Sequence, residues 1–106
     1  MSHNKAITAK TKEIESVLRD KYVSTHPKAA VSVYRYNDWS IRVRIIDPEF
    51  KERSIIEREK DILPIIHGLS DYAQDRITML LLITPEESKR SLLSLEFDDP
   101  KPSSIK

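Results

Sequence analysis

Two arginines one residue apart, Arg42 and Arg44, stand in the alternating run Ile41-Arg42-Val43-Arg44-Ile45, shortly after Tyr34 and Tyr36. Guanidinium groups fork onto phosphate or carboxylate, and phenol rings offer faces on which planar groups stack. Arg53, Arg58 and Lys60 add positive charge a little further on. These seven residues are the candidate binding set, for nucleic acid or for a protein partner. The plainer alternative is an exposed sheet face whose arginines discourage strand pairing and bridge to glutamates. Asp47, Glu49, Glu52, Glu57 and Glu59 are interleaved with the set and break up a continuous positive field.

Catalytic equipment is not evident. The chain has no cysteine, which removes disulfides, thiolate nucleophiles and cysteine-ligated metal or iron–sulfur sites. Its imidazoles, His3, His26 and His67, share no spacing that would join them as metal ligands. A serine nucleophile needs a base and an oxyanion site, usually shaped by glycines, and Gly68 is the single glycine. The reading is therefore a non-enzymatic protein without a cofactor, acting by binding. Trp39 reads as a lid on the core, with an exposed anchor as the alternative.

The elements that must position these residues follow from a chain of 106 residues, the length of one compact domain. Lys and Arg number 18 against 17 Asp and Glu, so attachment to nucleic acid by bulk charge is not expected. Charge is nonetheless uneven: residues 1–30 carry six basic against three acidic residues, and residues 84–99 two against five. No apolar run reaches the roughly 20 residues that cross a bilayer, and the start MSHNK lacks a signal-peptide core, so a soluble cytoplasmic protein is expected. The domain is expected to span residues 1–97. Residues 98–106, with Pro100 and Pro102, read as a disordered tail.

Ile14, Val17, Leu18 and Tyr22 mark one stripe of a helix from Ala9 to Val23, closed by Pro27. Val31 and Val33, then Ile41, Val43 and Ile45, alternate as two half-buried strands around a turn at Asn37-Asp38. A strict two-residue loop would pair Tyr34 with Ile41 and split the apolar set. A three- or five-residue loop unites it, and burial should choose that register. Either way Arg42 and Arg44 point away from the isoleucines, and the chosen register leaves Tyr34 and Tyr36 beside them on an outer face.

Ser54-Ile55-Ile56-Glu57 is a capping box that opens a second helix, with Ile55, Ile56, Ile62, Leu63 and Ile66 as its stripe. Pro64 should bend or end it, and Gly68 offers a C-terminal cap. Ser70 to Arg76 suits a short helical turn. The seven apolar residues Ile77–Ile83 suit a central strand, and Thr84-Pro85-Glu86-Glu87 caps a last helix. The fold class is α+β in the order α-β-β-α-(short α)-β-α, a three-stranded sheet packed on helices.

In this order the chain resembles the BolA family, over about residues 9–95. Phe50 is followed eight residues later by Arg58-Glu59-Lys60, at the interval of the family's Arg-His-Arg cluster, and Thr84-Pro85-Glu86-Glu87 matches its late helix start. The resemblance implies a regulatory or adaptor domain with a class II KH-like fold. Its alternative implication is an iron–sulfur adaptor that shares a [2Fe–2S] cluster with a monothiol glutaredoxin. Glu59 stands where the family has its histidine, Arg76-Ile77 where a second one precedes the last strand, and Asn37-Asp38 replaces a longer ligand-bearing loop. Carboxylate oxygen is a poor substitute for nitrogen or sulfur at such a cluster. With one glycine, the GxxG clamp of KH domains is absent. The expected protein is a monomer or weak dimer, away from membranes. A purely structural subunit, using Trp39 or the last helix at an interface, is a third reading.

Overall fold

The computed structural model describes residues 5–101. Helix α1 (Ala9–Leu18) starts at Thr8, whose hydroxyl accepts the Thr11 N–H while the Thr11 hydroxyl accepts the Thr8 N–H in return. It widens into a π-helical turn over Arg19–Val23 that keeps Tyr22 buried in line with Ile14 and Leu18. The strands are β1 (Ala30–Asn37), β2 (Ser40–Ile46) and β3 (Ile77–Ile83). The helices between and after them are α2 (Ile55–His67), α3 (Asp71–Arg76), α4 (Pro85–Ser88) and α5 (Leu92–Asp98). Ser54, Thr84 and Glu87 cap as expected, and α2 runs through Pro64 to its C-cap at Gly68.

The sheet order is β1-β2-β3, with β1 antiparallel and β3 parallel to β2. The central strand is thus β2, and the apolar run Ile77–Ile83, expected in the centre, lies at an edge. Its composition answers to coverage of both faces. Leu80 and Leu82 share the face of Val43 and Ile45, whereas Leu81 and Ile83 share the face of Arg44 and Ile46. Leu81, Leu82 and Ile83 are all buried.

The hairpin reconciles its two candidate registers. Asp38 and Trp39 form a two-residue loop closed by Asn37 opposite Ser40, and a bulge before Asn37 resets the ladder to Arg35–Ile41, Val33–Val43 and Val31–Ile45. The bulge supplies the extra residue that lets a short loop coexist with an undivided apolar face. That face joins Ile14, Leu18, Tyr22, Phe50, Ile62, Ile66, Leu69 and Ala73 in the core.

Three expectations change here. The last helix is two: Lys89 ends α4, and Ser91 restarts the chain by accepting the Ser94 N–H at 3.0 Å. Ile55 and Ile56, placed in the buried stripe of α2, are exposed, because Arg58, Ile62 and Ile66 take the inward positions. Asp98, expected in the tail, closes α5, and Pro100 is buried; Pro102 to Lys106 lie outside the described residues.

Candidate interaction surfaces

Arg42 and Arg44 do point away from the core, but they do not face water. Helix α5 lies across them, so the sheet has helices on both faces. Arg42 Nη1 meets Glu96 Oε2 at 3.1 Å, and Arg44 meets Asp98 Oδ1 at 2.9 Å and the buried Ser94 hydroxyl at 2.9 Å. Phe97 is the plug: Tyr34 lies 4.7 Å from its ring, the Arg44 guanidinium 4.4 Å from it, and the Tyr34 hydroxyl donates to its carbonyl at 2.6 Å. Burial raises the Tyr34 pKa against the opposing pull of the Arg42 hydrogen bond. Tyr36 packs under the Arg42 guanidinium at 3.8 Å and donates to the Lys101 carbonyl. The four residues expected on an open face are gathered as predicted, and the acidic end of the chain closes over them. The excess of carboxylates in residues 84–99 is the signal that points to this: Glu96 and Asp98 answer the two arginines.

At the entrance of α2, Arg58 is also internal. Only 4% exposed, it donates to the Arg53 and Leu82 carbonyls and forms a fork with the Glu87 carboxylate, at 2.7 and 3.0 Å. That fork, outweighing some desolvation, with help from the Thr84 backbone N–H, lowers the Glu87 pKa to about 2. Arg53 pairs with Asp61 at 3.0 Å and donates to the Glu57 carbonyl. Of the basic set here, Lys60 is the exposed member, and Glu59 beside it is half-buried.

Large apolar side chains are what this surface does leave in water. Ile55 and Ile56 flank the α2 entrance, the latter 68% exposed, and Leu92, Leu93 and Leu95 form the outer side of α5, with Leu92 81% exposed. A hollow of about 500 Å³ beside Ile55 is walled by Ile83, Arg90 and Ser91, and a separate one lies along Leu92 and Leu95. In α5 the helical pattern is inverted: Ser94 and Phe97 are buried while three leucines face out.

The opposite end of the sheet holds a second exposed cluster. Trp39, expected as a core lid, is 70% exposed, because the tight loop carries it beyond the strands. The Arg76 guanidinium lies 5.1 Å from its ring and 4.4 Å from that of Tyr72, and Lys10 Nζ lies 5.5 Å from Tyr72. His26 is structural, stacked on Tyr22 at 4.0 Å, and His67 is exposed at the end of α2. His3 lies outside the described residues. Among the described residues no three of His, Cys, Asp and Glu converge as a metal-holding group.

No family model, curated protein or solved structure matches this chain. No helix among the described residues is long and apolar enough to cross a membrane.

Proposed function

We propose that this chain is a non-catalytic adaptor domain whose partner is a protein, engaged on the surface from the α2 entrance to α5. The observation that carries this reading is an exchange of roles. The guanidinium groups of Arg42, Arg44 and Arg58 are occupied by carboxylates of the same chain, while Ile55, Ile56, Leu92, Leu93 and Leu95 stand in water. Exposed large apolar side chains at the α2 entrance and along α5, with Arg53 and Arg90 at the hollow beside Ile55, are the make-up of a protein-binding surface. The nucleic-acid version through Tyr34, Tyr36, Arg42 and Arg44 requires α5 to leave, exposing Phe97. The resemblance to BolA proteins in the order of elements is kept within the proposal. It makes a monothiol glutaredoxin the first defined partner to try, with Glu59 in place of the family histidine as the obstacle to shared cluster ligation.

Photo-crosslinking tests the reading. A photoreactive side chain at position 56 or 95 of the full chain should capture a discrete protein in cells, and one at the exposed position 12 should not. The capture should vanish in the Leu92→Ser/Leu93→Ser double variant. Cross-links to nucleic acid, or no difference between positions, overturn it; capture of a second copy moves the reading to self-assembly.

A further inference from the structure

The exposed cluster around Trp39 has a composition that a hairpin tip does not require. β2 and β3 run parallel, so Trp39, just ahead of β2, and Arg76, just ahead of β3, meet at one end of the sheet. The α2 entrance and α4, which come after the same strands, lie at the other end. The cluster is therefore separate from the α2–α5 surface, and its chemistry stands independently of any partner bound there.

Beside it opens a hollow of about 250 Å³, walled by Lys10, Arg35, Asp38, Tyr72 and Arg76 with the first turn of α1. Of its three cations two are paired with carboxylates, which leaves the wall with the one uncompensated charge of Arg76. Arg35 is answered by Asp38 at 3.1 Å and Lys10 by Glu13 at 3.0 Å. Arg76 has no ion pair among the described residues, and its buried Nε finds no acceptor. The positive end of the α1 dipole adds to the same sign. A turn needs no indole. An indole and a phenol more than half in water, both against one unpaired guanidinium, match the residue types that dominate binding energy.

We infer that this hollow binds a nucleotide, with the base stacked on Tyr72, the phosphate forked by Arg76 with Lys10 behind it, and Trp39 at the rim beyond Arg76. Two features select this chemistry over an acidic peptide. A carboxylate side chain brings one charge and no ring, whereas a nucleotide brings a planar aromatic surface and a phosphate together. The hollow is also small, about 250 Å³, too small for a helix, so it would seat part of such a ligand with the remainder over the rim. The nucleotide could be free or part of a single strand, and both present the same groups.

Trp39 is the sole tryptophan, and with the Arg76 guanidinium 5.1 Å from its ring its emission reports on what Arg76 binds. The full-length protein, excited on the red side of the indole band, is titrated with adenosine monophosphate, an eight-nucleotide RNA strand and adenosine. Saturable quenching by the monophosphate indicates the free nucleotide. Quenching by the strand alone indicates a nucleotide within nucleic acid, and that binding should weaken as salt rises. Adenosine, lacking the phosphate, should bind far less well. Arg76→Gln should weaken binding about tenfold, the loss of a forked phosphate contact, with an unchanged circular dichroism spectrum. Tyr72→Ala supplies an independent variant with a native indole reporter. The inference is overturned by absence of saturable quenching with both phosphate-bearing probes, by adenosine binding equally well, or by quenching indifferent to Arg76→Gln and Tyr72→Ala alike.

Discussion

Arg58 and Glu87 clasp one another through two hydrogen bonds that join the first turns of α2 and α4. The clasp is asymmetric, since the arginine is buried and the Glu87 side chain is 41% exposed. Glu87 serves twice, because its Oε1 also accepts the Thr84 N–H at 2.9 Å. Glu87→Gln keeps an acceptor for that cap and removes the charge facing a buried guanidinium. Two carbonyls remain on Arg58, so the expected loss is about 1–3 kcal/mol in denaturant unfolding. A loss below about 0.5 kcal/mol would return the pair to the class of surface contacts. The wild type carries the matching pH signature. A folded pKa of about 2 lies below the ordinary value of 4.5, so the contribution is present above that value. It is lost as pH falls from 4.5 towards 2, by about 1 kcal/mol once screening at the exposed carboxylate is allowed for. Glu87→Gln should flatten that segment of the stability–pH curve.

A second prediction concerns Tyr22, whose hydroxyl donates to the buried carboxylate of Asp47 at 2.5 Å. Burial, then this hydrogen bond, pushes its pKa far above the usual phenol value. A raised folded pKa means stability that is intact below pH 10, the ordinary value, and declines above it. Absorbance of tyrosinate should therefore show Tyr22 ionising only with alkaline unfolding. Tyr22→Phe should cost about 1–3 kcal/mol, because Asp47 Oδ2 loses its donor out of contact with water.

Phe97 holds α5 on the sheet, so Phe97→Ala should cost about 3–5 kcal/mol. It should also open the segment after Arg90 to protease well before the rest of the chain. Uniform resistance along the chain would show that Ser94, Glu96 and Asp98 hold α5 without the ring.

Glu52 has φ of +64°, a conformation that a side chain disfavours. Glu52→Gly should raise stability by about 0.5–1 kcal/mol, relief of strain exceeding the entropy that glycine adds to the unfolded chain. A lower melting temperature would mean that Glu52 makes a compensating contact.

Periodicity and caps make most of the architecture legible. Alternation locates β1 and β2, the stripe of Ile14, Leu18 and Tyr22 locates α1, and the boxes at Ser54 and Thr84 place two helix starts to the residue. Alternation also says which way Arg42 points, but not what lies there. That depends on Glu96, Phe97 and Asp98 folding back across more than 50 positions, as the Arg42–Glu96 separation of 54 shows, a pairing that local pattern does not encode. The burial of Arg58 is hidden for the same reason, since its partner Glu87 is 29 residues away and already explained by its cap. An apolar run reports coverage of both faces and not the number of neighbouring strands, hence the edge position of Ile77–Ile83. Trp39 turns outward because the bulge, invisible in composition, shortens the loop beneath it.

The Arg58 bond to the Leu82 carbonyl reaches beyond helix anchoring. The Ile83 carbonyl accepts the Asp47 N–H on the β2 side, so the Leu82 carbonyl, one residue earlier, points to the free margin of β3. At the other margin, Ala6 exchanges two hydrogen bonds with Arg35 of β1, at 3.0 and 2.8 Å. Each margin of the sheet is thus met at one point by a single residue. A foreign strand seeking to add itself along β3 would have to evict a buried guanidinium, which guards this very apolar ribbon against growth into fibres.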